Sequence, residues 1–342
     1  MTIPELREIL KTCKEDDIKL LAVELYKAMP KKLKEEKEID QVIKDIVDGE
    51  SNKKSAKQYN KKVSVEELRA EIEIFLENAY AQNYFVPNRS IPKKERPKWR
   101  FKVKAYIKDL SRIPCEGEDG KLAAKLLEKL YNMLCYGCRY YIFNTEDTFY
   151  SIGMEQEALL DLIIKKNFEN GIDRESISRM VSIATGVGVS SNTLYSSLLV
   201  VLVSNLKTTD SREIAIEEAR AQSEGLEKGR NSLSQKKSSW SSMDSYDRKE
   251  NIEQLTELIF RLSVSLCEYD KGIDYYKKHI QNVDSEVNLY CLLQLLHEYD
   301  LRDYWIREYE TAVKKKVEPR EALLRVYTYI KDNGEFPEDY YY

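Results

Sequence analysis

Apolar residues recur three and four positions apart along almost the whole chain, and that period restricts the fold more than any other feature. In LRAEIEIFLENAY, Leu68, Ile72, Phe75, Leu76 and Ala79 fall on one side of a helix. Only one stretch alternates like a strand. Trp99, Phe101, Val103 and Ala105 interleave with Arg100, Lys102 and Lys104. A lone strand needs a partner, and no second alternating run exists to pair with it. On a helical projection Trp99, Val103, Tyr106, Ile107 and Leu110 share one face, so the helix reading is kept. With 12 Gly and 8 Pro in 342 residues, breakers are scarce. The expected fold class is all-α, helical hairpins packed as a bundle.

Start and stop signals divide the chain. Thr2 to Glu5 is a capping box with Pro4 early in the helix. A second helix covers about Glu15 to Ala28 and ends at Met29-Pro30, and a Lys-rich helix runs to about Val47. Residues 48–62, DGESNKKSAKQYNKK, are polar and aperiodic and read as a basic linker. Ser64 to Glu67 restarts a helix by capping logic. Further helices are expected near 98–110, 121–142, 154–169, 174–185, 191–206 and 211–229. The one at 191–206, apolar nearly all round, is expected to be the most buried. Residues 231–249 contain many serines and few apolar side chains, so they read as a second linker and a candidate for phosphorylation. The expected organisation is an N-terminal helical segment (1–47), the basic linker (48–62), a central all-helical domain (63–230), the Ser-rich linker (231–249) and a C-terminal helical-repeat domain (250–342).

Charge is unevenly placed. Residues 1–112 carry 26 basic and 20 acidic side chains, a net +6, so the rest carries −10 to give −4 overall. From residue 89 to 112 there are ten basic residues against Glu95 and Asp109. On the helix at 98–110, Lys98, Arg100, Lys102, Lys104 and Lys108 cover the side away from the apolar stripe, with Phe101 among them. A basic face holding an aromatic suits phosphate neutralisation with base stacking. The plainer reading is a solvated helix face with Phe101 packed under a neighbouring segment.

Several classes of chemistry find little footing. Cys135 and Cys138 have chelating spacing on a helix, but zinc needs four ligands and no His occurs before His279. Core cysteines are the expected role. Gly186-Val187-Gly188 lacks the strand that a dinucleotide fingerprint requires and reads as a helix–helix turn. His279 and His297 are the only histidines, without a metal-spaced mate. No nucleophile elbow, phosphate loop or zincin motif occurs, and no cofactor is expected. Acid pairs are abundant without one standing out, so a carboxylate-and-metal enzyme stays open. The start MTIPELREIL has no signal-peptide pattern, the apolar run at Leu198 to Val203 is too short to span a bilayer, and the scattered cysteines fit reduced thiols. A cytoplasmic protein without membrane contact is expected.

The C-terminal segment repeats itself. LCEYDKGIDYYKKHI (266–280) is echoed by LHEYDLRDYWIREYETAV (296–313), with a weaker third copy from Glu318, and starts near 250, 284 and 318 suit helical hairpins. The stretch resembles a tetratricopeptide repeat over residues 250–332. Cys267, Tyr269, Gly272 and Tyr276 match that family's small and aromatic positions, as do Tyr309 and Ala312 in the second copy. His279 departs from the pattern, and NIEQLTELIFRLSVS lacks the usual aromatic and Gly. The resemblance implies stacked hairpins with a concave face that binds a partner. Twelve of the 24 tyrosines lie after residue 250. Tyr269, Tyr275, Tyr276, Tyr299, Tyr304, Trp305 and Tyr309 are the candidate partner-binding residues, against the alternative that Tyr takes the place of Phe in packing. Together these features point to a non-catalytic cytosolic adaptor with a protein partner. The alternative is nucleic-acid binding through residues 89–112.

Overall fold

The computed structural model describes residues 10–30, 65–88, 90–169, 171–233, 241–280 and 284–338. Among these, helices are the only regular elements, in keeping with the pervasive helical period. The chain divides into two units, Met1–Ser64 and Val65–Tyr342. In the first, helix α1 (Glu15–Ala28) has the bounds expected from sequence and ends where Met29 turns extended before Pro30. Its Leu20, Val23 and Leu25 are exposed. The capping box at Thr2, the Lys-rich helix to Val47 and the linker 48–62 lie outside the described residues.

The second unit contains the other described α-helices. They are α2 (Val65–Tyr80), α3 (Trp99–Arg112), α4 (Gly117–Arg139), the short α5 (Thr148–Ile152), α6 (Gln156–Glu169), α7 (Arg174–Ala184) and α8 (Tyr195–Asn205). There follow α9 (Thr209–Leu233), α10 (Ser241–Ser265), α11 (Tyr269–His279), α12 (Ser285–Glu298), α13 (Arg302–Lys314) and α14 (Glu321–Asn333). Local chemistry fixes several ends. Asp147 accepts from Tyr150 N at the start of α5, Asp173 and Ser176 form a reciprocal box on α7, and Asp284 caps α12. Gly334, at φ +73°, stops α14.

Two apolar cores form in this unit. The first gathers the inward faces of α2 to α8 with part of α9, and the expected stripes Leu68/Ile72/Phe75/Leu76/Ala79 and Trp99/Val103/Tyr106/Ile107/Leu110 are all buried in it. The second holds α11 to α14 around Trp305. Helix α10 serves both: Leu255, Leu258, Ile259 and Leu262 enter the first core, while Phe260 and Val264 enter the second.

Two expectations are corrected. Residues 231–233 end α9 and 241–249 begin α10, so the Ser-rich linker is largely helical, and 234–240 lie outside the described residues. Asp247 and Glu250 are drawn to Arg139 of α4, which offsets the weak helix preference of serine. Residues 65–230 and 250–342 fall in the same unit. Helix α8 is not the most buried: Val200 is exposed, and so is Leu194 just before it, whereas α4 runs through the first core with Leu127, Leu130, Tyr131 and Met133 fully covered.

The hairpins α10–α11 and α12–α13 share one turn geometry. Cys267 (φ +60°) and Asp300 (φ +52°) are both left-handed. Cys267 N donates to Val264 O and Glu268 N to Ser263 O, and Asp300 N and Leu301 N repeat the pair on His297 O and Leu296 O. Structural equivalence therefore joins Cys267 to Asp300. The Glu-Tyr-Asp echo is out of register, because one copy begins α11 and the other ends α12.

Candidate ligand-binding cleft and basic helix face

Helix α3 puts its apolar stripe inward, with Trp99 stacked on Phe143 at 3.9 Å between ring centroids. Lys98, Arg100, Phe101, Lys102, Lys104 and Lys108 all face outward. Phe101 is 64% exposed and not packed under a neighbour. Lys98 pairs with Glu95 at 2.8 Å, which holds the Glu95 carboxyl below its ordinary value. Arg100 donates to Pro97 O, and its guanidinium carbon lies 5.6 Å from the Phe101 ring centre. Lys102, Lys104 and Lys108 make no salt bridge among the described residues. A small cavity of about 200 Å³ opens at the start of this face between Tyr84, Arg96, Arg100 and Ser151.

An open cleft of about 690 Å³ lies between α10 and α12, with residues of α8 and α11 contributing to its walls. One face of α10 supplies Glu250, Glu253, Gln254, Glu257 and Arg261, and α12 supplies Tyr290, Cys291, Gln294, His297 and Glu298. Spacings of three and four put the α10 residues in one row. Tyr195 of α8 and Tyr276 of α11 complete the walls.

Arg261 anchors the cleft floor. Its side chain is 2% exposed. Nη1 and Nη2 donate to the two Glu298 oxygens at 2.6 and 2.8 Å, Nε donates to Glu257 at 2.8 Å, and Nη1 also reaches the Tyr299 hydroxyl. Burial opposes the charge, but the Glu298 bonds and the Glu257 charge outweigh it and raise the guanidinium pKa. At the other end Arg139 donates to Glu250 at 2.9 Å, to Val187 O and to the Tyr195 hydroxyl. This ties the turn between α7 and α8 to the start of α10. That turn carries Gly186-Val187-Gly188, as expected of a helix–helix connection. Gln156 and Asp147 brace it further: Gln156 Nε2 donates to Gly188 O, and Asp147 accepts from both Ser190 and Ser191.

Two groups in the cleft lack hydrogen-bond partners among the described residues. Gln254 is 5% exposed; its Oε1 accepts from Gly186 N at 2.7 Å, which fixes the amide orientation, and its Nε2 has no acceptor. The neighbouring Glu253 Oε1 has no donor, its nearest cation being Lys249 Nζ at 3.6 Å. Buried polar atoms are normally satisfied, so such adjacent orphans mark a place for a ligand.

The cleft offers little for covalent or metal chemistry. Burial, reinforced by Glu253, raises the Cys291 thiol, which keeps it protonated and weakly nucleophilic. Burial also lowers the His297 imidazole, so it is uncharged at neutral pH. Burial, then Cys291 and Glu257, raises the Tyr276 phenol. No group of three His, Cys, Asp or Glu that could hold a metal occurs among the described residues. Cys135 is a core residue accepting from Gln156, and Cys138 pairs with Thr148.

The aromatic residues proposed from sequence divide. Tyr276, Trp305 and Tyr309 are packed in the second core, where their rings fill volume. Tyr269, Tyr275, Tyr299 and Tyr304 are half-buried. Tyr275 stacks on His279 and under Arg220, Tyr269 meets Tyr304, and Arg307 lies over Tyr304. The cleft residues were missed, although the spacing of Glu250, Glu253, Glu257 and Arg261 along one helix face was visible in the sequence. No helix among the described residues is long and apolar enough to cross a membrane. No family model matches the chain, and neither a curated protein nor a solved structure matches it significantly.

Proposed function

We propose that this chain is a non-catalytic protein-interaction module, a cytoplasmic adaptor that receives a partner in the cleft between α10 and α12. The observation that carries this reading is the cleft itself, open, lined by apolar and charged side chains, and holding two buried polar atoms without partners among the described residues, on a run of helical hairpins. The alternation of helices over 241–333 supports a tetratricopeptide-like array, and six free cysteines suit a reducing compartment. The test is site-specific photo-crosslinking in living cells. A photoreactive residue at Gln294, in the cleft, is expected to give a discrete protein adduct, and one at Glu213, exposed on α9, is expected to give none. Equal labelling at both positions, or none at Gln294, would sink the reading.

A second reading rests on the exposure of Phe101 beside Lys102, Lys104 and Lys108, which make no salt bridge among the described residues. Nucleic acid would meet the α3 face through phosphate contacts and stacking. Fluorescence anisotropy with labelled single-stranded RNA and duplex DNA decides it. Binding that falls steeply with salt and is lost in Arg100→Glu/Lys104→Glu/Lys108→Glu supports this use of the face. A folded triple variant that binds as the native chain does removes it.

A further inference from the structure

We infer that the cleft recognises an extended peptide segment through one arginine or lysine side chain, with Glu253 receiving the cation and Gln254 the adjacent peptide carbonyl. The inference rests on the interaction reading above and specifies its ligand. Four carboxylates face the cleft, and most of their charge is already committed. Glu250 is held by Arg139, and Glu257 and Glu298 share Arg261. Glu253 is left with only the looser contact to Lys249 and with an unpartnered, buried Oε1. That oxygen calls for a donor, and in an acidic cleft a charged donor is favoured.

The adjacent Gln254 makes the opposite demand. Its Nε2 is a buried donor without an acceptor, and the Gly186 N–H on Oε1 prevents the amide from turning round. Asn251 Oδ1, also unpartnered, abuts Gly186 and is not part of the cleft wall. A ligand that satisfies both Glu253 and Gln254 carries a cation and a neutral acceptor a few bonds apart. A basic residue in a peptide has both. A polyamine lacks the acceptor, and a bare metal ion lacks it too. Tyr195 and Tyr290 give the walls aromatic faces suited to a guanidinium. Tyr290 already shows the mode, since Arg320 stacks on it at 3.8 Å while pairing with Glu286. A volume near 690 Å³ accommodates several residues.

The experiment pans a random nine-residue peptide library, displayed on phage, on the full chain. Selected peptides are made with a fluorophore and titrated by anisotropy at low salt. The expected consensus has one fixed Arg or Lys. Replacing it with citrulline or norleucine weakens binding about tenfold. Glu253→Gln, whose native contact is loose enough to leave thermal unfolding unchanged, weakens it about threefold. Spermidine competes poorly. Basic peptides that bind Glu253→Gln as tightly as the native chain, or that spermidine displaces equally well, overturn the assignment. Selection of neutral or acidic peptides overturns it and leaves the interaction reading standing. A library with no enriched sequence overturns both.

Discussion

The two hairpins α10–α11 and α12–α13 are built on the same turn and packed in opposite ways. At the place where the second helix crosses the first, α11 has Gly272, and a Cβ there would lie 2.9 Å from Ser263 Cβ. Thirty-three positions on, by the register of the turns, α13 has Trp305, fully buried. One hairpin closes because a side chain is missing, and the other is held apart by the largest side chain available. The hydrogen bonds of the turn are common to both, so backbone geometry at a turn can recur while the interface beyond it is rebuilt. The acidic cleft lies between these unlike hairpins, along α10 and α12.

The comparison can be broken at its bulky side. Trp305→Ala is expected to cost about 3–5 kcal/mol, since Tyr309, Phe336 and the neighbouring leucines cannot close the cavity. Chemical denaturation with near-UV detection measures it, and a loss under about 1 kcal/mol would mean that the second hairpin does not depend on its wedge. The tight side comes next. Gly272→Leu is expected to destabilise by about 1–3 kcal/mol through the clash with Ser263, partly relieved by Ser263→Gly in the double variant. No relief would show that the clash lies elsewhere.

The shared turn yields smaller effects of the other sign. Cys267→Gly is expected to stabilise by about 1 kcal/mol, because a left-handed cysteine is strained and Gly is not. Asp300→Gly is expected to gain less, since Asp tolerates that conformation better. Equal gains in melting temperature would contradict the argument. Acid provides the smallest contrast. Arg320 holds Glu286, at the start of the second hairpin, below its ordinary carboxylate pKa. A depressed folded value means that its contribution is full above the unfolded value and fades as pH falls through the folded one. Buried groups of the first hairpin such as Tyr276 are raised and do not titrate there. Hydrogen-exchange protection in α14, to which Arg320 leads, corrected for the slower intrinsic exchange in acid, is expected to fall on acidification before protection in α11 does.

The sequence disclosed faces better than partners. The inward stripe of α3 was readable residue by residue, because period and burial obey the same geometry, and α1 stopped at its Pro. The serines of 231–249 misled, since they describe a local preference that Arg139, over a hundred positions away, overrides through Asp247 and Glu250. Leu194 and Val200 were expected inside because they are apolar, yet apolar character states what a side chain tolerates and not where its helix is set. Trp305, Tyr276 and Tyr309 stood as candidates for partner binding or for packing, because composition cannot separate an aromatic that meets a partner from one that fills a core. The cleft needs two helices, and although α10 and α12 each carry their half at a regular spacing, neither spacing states that the two faces meet.

Helix α10 stands in two cores at once, and this has a consequence for how the protein is made. The ribosome delivers residues 65–233 before Leu255, Leu258, Ile259 and Leu262 exist, so the earlier core waits with one wall missing. Its apolar lining stays open to other chains until α10 has emerged. Synthesis stalled shortly before residue 255 would therefore release a fragment prone to aggregate, and synthesis carried past residue 265 would seal it.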